Sequence, residues 1–434
     1  MINQSLLCGG IFLDGIMITG GRPLSGSIRV QGSKNAALPV LAGTILHRGR
    51  TVIWNCPRIT DVFWTVRILE ELGCSVDFTG NRLEVDSTKA EGIQITENLG
   101  GRLRSSILFL GALLGRNKKA VLPYPGGCTI GKRPIDLHCQ AMKQLGARIE
   151  ERNGLLTAET KSLKGNKIKF PFPSVGAAEN AILAGVLTEG ITEITGGAKE
   201  PEVLELCRFL NEKGAKILKN ADGTLKIYGV SKLKDSSFTL MPDRIVAGTY
   251  VFAAAAAGGK VLLENAPAEQ MKAVVETASN MGMKVKASGS GMLVEAPEVL
   301  KPAGMVRTAP YPGFPTDLQS PLMAASVFAK GETTVEETIF ESRFQTAGQL
   351  RKMGAEILEE GKRAVISGKG YLQGAQVEAA ELRGGAALVL AGLGAKGVTN
   401  VWNTEYISRG YEDICRDFRQ LGAAASKARK PEIG

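Results

Sequence analysis

Positively charged side chains stand at the start of several apolar segments that have the composition of buried helices. Four of them are Lys34, Arg104, Arg244 and Arg383. A cation at a helix N-terminus opposes the helix dipole, so these residues need a reason other than helix capping. An anionic ligand supplies one, because backbone N–H groups at a helix start also favour negative charge. The pattern predicts a site for a small molecule that carries phosphate or carboxylate groups.

Polar residues at the same junctions have two explanations. Asn35, Ser174, Asp243 and Asp317 are all residue types that cap helices well, so each one alone fits capping as well as ligand binding. Experiments on Asp317 separate the two readings, since Asn caps about as well as Asp but cannot act as a base.

A cysteine lies in the glycine-rich segment Pro125-Gly126-Gly127-Cys128-Thr129-Ile130-Gly131. Glycines on both sides of it imply an exposed backbone, whereas an inert cysteine is usually buried in a helix or strand. We expect an accessible and reactive thiol at Cys128, although a loop with a spectator cysteine fits the same pattern.

The residue types exclude several classes of site. Histidine occurs only at His47 and His138, which leaves almost nothing for a histidine metal site or a Ser-His-Asp triad. Seven cysteines are scattered without a Cys-x-x-Cys pair, which argues against a disulfide framework or a zinc site and indicates a reducing compartment. We expect no histidine or cysteine metal site and a cytoplasmic location.

The charge and the apolar runs limit the partners. The net charge of +10 favours anionic partners, but the lysines and arginines are spread along the chain, which disfavours nucleic acid. The longest apolar runs, such as residues 250–257, are far shorter than the roughly 20 residues that a membrane helix needs. Phosphorylated small molecules fit better than nucleic acid or a membrane.

A repeat organises the elements that must position these residues. A helix end, a glycine and a strand recur with glycines 68 to 73 residues apart, at Gly73, Gly146, Gly214, Gly282, Gly354 and Gly422. Each repeat also contains an apolar stretch that predicts a buried helix, at residues 36–46, 106–114, 177–187, 247–257, 318–329 and 385–395. The chain therefore predicts six copies of one α/β unit.

The two ends of the chain together form one repeat. The last repeat stops soon after Gly422 and lacks its own pair of strands, and residues 15–30 have the sequence pattern of that pair. We therefore predict a middle domain of residues 34–241 and an outer domain of residues 1–33 and 242–434, each with three repeats. Two linkers near Ser33 and Met241 suit closure around a substrate.

Five motifs stand out along the chain: Gly32-Ser33-Lys34-Asn35-Ala36-Ala37, the Cys128 segment with Arg133-Pro134-Ile135-Asp136-Leu137-His138, Phe172-Pro173-Ser174-Val175-Gly176-Ala177, Lys199-Glu200-Pro201-Glu202 and Phe314-Pro315-Thr316-Asp317-Leu318-Gln319. Together they resemble the UDP-N-acetylglucosamine branch of the enolpyruvyl transferase family. Similarity extends from about Gly21 to Gly422. The resemblance implies a two-domain inverse α/β barrel of six repeated units.

The same resemblance implies a site. Lys34, Arg133 and Arg409 would hold phosphoenolpyruvate, while Arg104, Arg343 and Arg383 would add positive charge. Asn35 and Asp317 would bind the sugar hydroxyl. The uridine diphosphate would lie against Arg133, Pro134, Ile135, Asp136, Leu137, Phe172, Pro173, Ser174, Val175 and Ile339.

The implied reaction adds the sugar 3-hydroxyl to C2 of phosphoenolpyruvate as C3 takes a proton, and then releases phosphate, in the first committed step of peptidoglycan precursor synthesis. Catalysis would rest on Cys128, Asp317, Lys34 and Arg409, with Asp317 as base and Cys128 as acid. Cations beside a thiol favour the thiolate, so Cys128 could instead form a covalent adduct. The reaction that the resemblance implies requires neither a metal nor an organic cofactor.

Some positions depart from the family pattern: Val246, Glu381, Ser342, Thr346, Tyr406 and Ser408. These departures keep two alternatives open, an enolpyruvyl transferase with another acceptor and a weakly active protein that binds a UDP-sugar. Measuring phosphate release after mixing the chain with phosphoenolpyruvate and UDP-N-acetylglucosamine separates these two alternatives from the transferase that the resemblance implies.

Overall fold

The computed structural model describes residues 15–126, 131 and 134–429. In chain order the strands are β1 Gly15–Thr19, β2 Leu24–Arg29, β3 Arg50–Trp54, β4 Ser75–Thr79, β5 Arg82–Asp86, β6 Lys119–Pro123, β7 Arg148–Arg152, β8 Leu155–Glu159, β9 Lys167–Lys169, β10 Ile191–Thr195, β11 Lys216–Lys219, β12 Leu225–Tyr228, β13 Ser236–Thr239, β14 Gly259–Glu264, β15 Lys284–Ser288, β16 Gly291–Glu295, β17 Met305–Arg307, β18 Lys330–Glu336, β19 Glu356–Glu360, β20 Arg363–Lys369, β21 Gln376–Glu378, β22 Val398–Trp402 and β23 Ala424–Ala428.

The helices follow the same repeat. They are α1 Lys34–Thr44, α2 Thr60–Glu71, α3 Glu97–Gly100, α4 Phe109–Asn117, α5 Asp136–Gln144, α6 Val175–Gly185, α7 Pro201–Glu212, α8 Arg244–Ala257, α9 Lys272–Asn280, α10 Gln319–Ser326, α11 Gln345–Lys352, α12 Leu382–Gly394, α13 Glu405–Ser408 and α14 Ile414–Gln420. Short 3₁₀ turns cover Arg104–Leu108, Ala268–Met271 and Thr316–Leu318. No helix in the described ranges is long and apolar enough to cross a membrane.

The repeated glycine ends a helix in every copy, as predicted. All six glycines have φ between 87° and 96°, a left-handed conformation that residues with a Cβ adopt only with strain. In the first copy the N–H of Gly73 bonds to the carbonyl of Glu70, and that of Cys74 bonds to Leu69. The same pair of bonds recurs at the other five sites. This is the Schellman motif, which satisfies the last carbonyls of the helix.

Each repeat forms one small sheet. In the third repeat β9 and β10 are parallel neighbours joined through α6, and β11 and β12 return as an antiparallel hairpin, in the order β11-β12-β10-β9. Parallel neighbours need a crossover connection, which the buried helix provides. The equivalent sheets are β13-β3-β5-β4, β15-β16-β14-β2, β17-β18-β20-β19 and β21-β22-β1-β23. The sheet β6-β8-β7 has three strands, and a single parallel bridge from Gln94 to Val121 takes the place of the strand equivalent to β9.

Two strands pair with strands that are distant in sequence, although each lies directly before a helix. Strand β2 precedes α1 but pairs with β14, and β13 precedes α8 but pairs with β3. The described chain divides into two compact units by its internal contacts: unit 1 contains residues 32–126 and 134–241, and unit 2 contains residues 15–31, 131 and 242–429.

Each unit has its own hydrophobic core around three central helices. These are α1, α4 and α6 in unit 1 and α8, α10 and α12 in unit 2. Residues 244–256 of α8 and 382–393 of α12 are buried on all sides, which confirms the prediction of buried rather than amphipathic helices. Some boundaries differ, because residues 45–46, 186–187 and 327–329 were expected to be helical and instead form turns after the helices end.

Candidate functional site

The four cations lie at or next to the first residue of a helical segment. Lys34 and Arg244 are the first residues of α1 and α8, Arg104 begins a 3₁₀ turn, and Arg383 is the second residue of α12. Lys34, Arg244 and Arg383 are buried. Burying a cation at this end of a helix is unfavourable unless anions compensate it, so the anionic groups around each one determine what it can do.

In unit 1 the anion beside Lys34 is Asp61. The Lys34 Nζ lies 2.8 Å from Asp61 Oδ2, and both side chains are buried. Asp61 is in the first turn of α2, where a carboxylate also complements the helix dipole. The sequence did not single out Asp61, because an acidic residue in a first helical turn looks like an ordinary capping feature.

Asn35 and Arg104 are two further predicted site residues of unit 1. Ser33, rather than Asn35, is the N-cap of α1, and its hydroxyl accepts from the N–H of Ala36. Asn35 is therefore inside the helix and half-buried, so the capping explanation does not apply to it. Arg104 is half-buried and its Nη2 donates to the carbonyl of Pro134 at 3.0 Å, which ties it to a segment predicted to hold uridine diphosphate.

Exposed and buried side chains alternate along residues 134–137, the segment predicted to hold uridine diphosphate. Pro134 and Asp136 are exposed, whereas the side chains of Ile135 and Leu137 belong to the core of unit 1. Ile135 and Leu137 can therefore offer only backbone atoms to a ligand.

The second predicted nucleotide segment is more open. Phe172 is 57% exposed and Pro173 is also exposed, while Ser174 and Val175 are half-buried. Ser174 is the N-cap residue of α6 but its side chain makes no capping hydrogen bond. An exposed aromatic ring beside an unused hydroxyl is suited to a ligand with a flat base and polar groups.

Cys128 and Arg133 lie outside the described residues. Five other cysteines, Cys56, Cys74, Cys139, Cys207 and Cys415, are described, and all are buried and form no disulfide. Burial raises the pKa of Cys74 and Cys207 to about 12 and that of Cys139 to about 11. These thiols are therefore poor nucleophiles.

In unit 2 the central group is Asp317. Its Oδ1 accepts from Arg343 Nη2 at 2.7 Å, and its Oδ2 accepts from Arg383 Nη2 at 3.1 Å and Nε at 3.3 Å. Both arginine side chains are 2% exposed, and that of Asp317 is 28% exposed. Asp317 lies within a 3₁₀ turn and not at an N-cap, so it bridges two buried cations instead of capping a helix.

Glu381 supplies the second carboxylate of this cluster. It is the N-cap of α12, and its side chain accepts from the N–H groups of Arg383 and Gly384. Its Oε2 is also 3.7 Å from Arg343 Nη1. A carboxylate at this helix start offsets the unfavourable placement of Arg383, so the cluster of two arginines and two acids is close to neutral.

The remaining predicted residues of unit 2 lie in other segments. Asp243 caps α8 through bonds from Ile245 and Val246, and Arg244 packs 5.5 Å from the Tyr311 ring. Arg409 is half-buried at the end of α13, where the Ser408 hydroxyl donates to the carbonyl of Glu405.

Ile339 is 37% exposed, and its N–H donates to Glu337. No group of three or more His, Cys, Asp or Glu side chains within the described ranges could hold a metal ion.

The chain is similar to a known family and to several known proteins. The sequence profile of the family described as EPSP synthase (3-phosphoshikimate 1-carboxyvinyltransferase) matches residues 18–418. UDP-N-acetylglucosamine 1-carboxyvinyltransferase 2 of Caldanaerobacter subterraneus subsp. tengcongensis is 45% identical over 94% of this chain and 97% of that protein. UDP-N-acetylglucosamine 1-carboxyvinyltransferase 1 of Symbiobacterium thermophilum is 42% identical over 95% and 94%, and that of Halalkalibacterium halodurans is 41% identical over 95% and 94%.

Solved structures show the same fold. The enolpyruvyl transferase NikO from Streptomyces tendae superposes with a TM-score of 0.87 at 23% identity, over 96% of this chain and 99% of that one. An EPSP synthase from Acinetobacter baumannii superposes with a TM-score of 0.73 at 19% identity, over 95% and 99%. At these identities the likeness establishes the two-domain fold with repeated units, and nothing about substrates.

Proposed function

Because the chain belongs to the enolpyruvyl transferase family, we propose that it transfers the enolpyruvyl group of phosphoenolpyruvate to the 3-hydroxyl of UDP-N-acetylglucosamine and releases phosphate. The observation that carries this proposal is the set of relatives named UDP-N-acetylglucosamine 1-carboxyvinyltransferase, at 41% to 45% identity over nearly the whole chain. The reaction would be the first committed step of peptidoglycan precursor synthesis.

The cations suit the first substrate. Phosphoenolpyruvate carries a phosphate and a carboxylate, and guanidinium groups match both with paired hydrogen bonds. We assign its binding to Lys34, Arg133 and Arg409, with Arg104, Arg343 and Arg383 adding positive charge. The buried pair of Lys34 and Asp61 supports this role, because Asp61 holds the lysine ammonium in a defined place.

Asp317 suits the second substrate. Two guanidinium groups favour its ionised form, and an ionised carboxylate can accept the proton of a sugar hydroxyl or orient that hydroxyl for attack. Asn35 would bind the same sugar, and the exposed segments at 134–137 and 172–175, with Ile339, would hold the uridine diphosphate.

The chemistry proceeds by addition and elimination. The sugar oxygen bonds to C2 of phosphoenolpyruvate while C3 takes a proton, and a proton is then lost from C3 as the C2–O bond to phosphate breaks. Cys128 is the candidate acid for C3, or a nucleophile that forms an adduct at C2. Cations around the phosphate stabilise the charge that develops on it as it leaves.

We also propose a cytoplasmic location and a domain assignment of residues 34–241 and of both chain ends. None of the described cysteines forms a disulfide, which supports a reducing compartment. Separate hydrophobic cores in the two units support two domains.

The proposed function is tested by phosphate release. The purified chain is mixed with phosphoenolpyruvate and UDP-N-acetylglucosamine, with each substrate alone, and with shikimate 3-phosphate as the alternative acceptor. Release that requires both phosphoenolpyruvate and the UDP-sugar supports the proposal. Release with shikimate 3-phosphate instead, or no release with the UDP-sugar, contradicts it.

A further inference from the structure

Glu337 is a buried acidic residue to which the proposed reaction gives no role. It directly follows β18, and only 2% of the residue is exposed. Its N–H donates to the carbonyl of Lys362 at 2.8 Å, which anchors its backbone beside the start of β20. Burying a carboxylate is unfavourable unless hydrogen bonds compensate it, so the donors around Glu337 show what it holds in place.

Each side-chain oxygen of Glu337 accepts from its own donors. Oε1 accepts from the N–H groups of Ile339 at 2.8 Å and Phe340 at 3.2 Å. It also accepts from the hydroxyl of Thr308 at 3.0 Å, and Thr308 follows β17, the parallel neighbour of β18. Oε2 accepts from the hydroxyl of Thr316 at 2.9 Å. The acidic group therefore ties two separate segments of unit 2 to the end of one strand.

Thr316 is held from two sides. Its hydroxyl donates to Glu337, and its carbonyl accepts from Arg343 Nη2 at 3.3 Å. The same Nη2 donates to Asp317 Oδ1 at 2.7 Å. Thr316 immediately precedes Asp317 in the 3₁₀ turn Thr316–Leu318. A shift of the backbone at Thr316 would therefore move the carboxylate proposed as the base.

We propose that Glu337 is a positioning residue that fixes the turn carrying Asp317 relative to the predicted nucleotide contact at Ile339. This inference rests on the proposed function, because its effect on turnover passes through Asp317. A base that is fixed before the reaction needs no reorganisation when the sugar hydroxyl arrives, and small errors in its placement are costly. Glutamate suits this role because both of its oxygens accept hydrogen bonds, whereas an amide accepts through only one.

Two substitutions act on the bond between Glu337 and Thr316. Thr316→Val removes the hydroxyl. Glu337→Gln keeps one oxygen for the two backbone N–H groups and turns an NH₂ group toward Thr316, so a neutral hydrogen bond replaces a charge-assisted one. Glutamine is close to glutamate in size, so this variant tests the same bond if Thr316→Val does not fold. Thr277→Val is the matched control, because Thr277 is buried in the same unit and donates its hydroxyl to the carbonyl of Ala273 at 2.8 Å within α9.

The test compares steady-state kinetics with the UDP-sugar and binding of UDP alone. Thr316→Val should lower kcat/KM about tenfold, the size of one lost hydrogen bond to a charged group, and Glu337→Gln about fivefold. The double variant should cost about tenfold rather than about fiftyfold, because both changes act on one bond. Thr316→Ser keeps the hydroxyl and should stay near wild type, and Thr277→Val should change kcat/KM less than about twofold. Affinity for UDP, which lacks the sugar, should change less than about twofold in Thr316→Val.

Crystal structures of Thr316→Val and Thr277→Val provide a readout independent of activity. The distance from Asp317 Oδ1 to Arg343 Nη2 should lengthen from 2.7 Å in the first variant and stay unchanged in the second. An unmoved Asp317, a Thr316→Val variant as active as Thr277→Val, or costs that multiply in the double variant would overturn the inference. A wild-type chain that releases no phosphate would instead refute the proposed function, and the position of Asp317 would still decide the positioning role.

Discussion

Replacing Asp317 by Asn removes the carboxylate that bridges Arg343 and Arg383. The amide oxygen of Asn can still accept from one arginine, but its NH₂ group would face the donors of the other. Both arginines are 2% exposed, so water cannot take over the lost interactions. We therefore expect Asp317→Asn to lower both stability and turnover.

The size of the stability loss follows from the burial of the cluster. Removing one partner of a buried ion pair costs about 3–5 kcal/mol. Asp317 is 28% exposed and Glu381 lies 3.7 Å from Arg343, so part of the compensation remains. We expect a loss of about 2–3 kcal/mol, which for a unit of about 200 residues corresponds to a fall in Tm of roughly 5–10 °C.

The assay measures melting and phosphate release on the same preparation. Loss of the base should lower turnover by roughly 10²- to 10⁴-fold. Glu359→Gln is the matched control, because Glu359 pairs with Arg351 at 2.8 Å in the same unit but in an exposed place. That change should cost less than about 1 kcal/mol and leave turnover unchanged.

The two readouts refute different parts of the reasoning. A wild-type Tm for Asp317→Asn would mean that the bridge between the arginines contributes nothing to stability, as expected for an N-cap that Asn replaces well. Wild-type turnover would remove Asp317 from the chemistry.

Three further predictions concern other groups. Burial lowers the pKa of Lys213 to about 8, so above that pH the folded state binds fewer protons than the unfolded state. Between pH 8 and pH 10 the free energy of unfolding of the wild type should therefore rise by about 2 kcal/mol relative to that of Lys213→Met, as measured by urea unfolding. An epoxide analogue of phosphoenolpyruvate should alkylate Cys128, as located by peptide mass spectrometry, and Cys128→Ala should lose turnover by about 10²-fold or more. Asp61→Asn should lower kcat/KM for phosphoenolpyruvate about tenfold, because Lys34 loses the partner 2.8 Å away that holds it.

Matched variants accompany these predictions. Lys216→Met changes an exposed lysine and should show no pH-dependent difference from wild type. Glu70→Gln removes a half-exposed carboxylate from the same helix as Asp61 and should leave kcat/KM unchanged. A label on a cysteine other than Cys128, equal pH profiles for wild type and Lys213→Met, or an unaffected Asp61→Asn would contradict the respective prediction.

The repeat was predictable because it is encoded locally. A glycine at a left-handed helix end and an apolar helix are both properties of a few neighbouring residues, so the six glycines and the six buried helices could be located from the sequence. The α/β fold and the family followed from them and from the motifs. The pairing of β2 with β14 and of β13 with β3 depends on partners more than 180 residues away, and no local pattern records it.

The chemistry of the site was predictable in kind and less so in arrangement. Cations at helix starts implied anions, but the sequence could not show that Asp61 neutralises Lys34 or that Asp317 bridges two arginines. The sequence left capping and ligand binding open for Asn35 and Asp317, and the structure excludes capping for both, since Ser33 caps α1 and Asp317 faces Arg343 and Arg383.

The central claim is tested most directly by identifying the product in a competition between acceptors. The chain is incubated with phosphoenolpyruvate and equal amounts of UDP-N-acetylglucosamine and shikimate 3-phosphate, and the mixture is separated and analysed by mass spectrometry. We predict one new species, the UDP-sugar with an enolpyruvyl ether at its 3-oxygen, in amounts equal to the phosphate released. An enolpyruvyl group on shikimate 3-phosphate, or an unmodified UDP-sugar after prolonged incubation, would contradict the account.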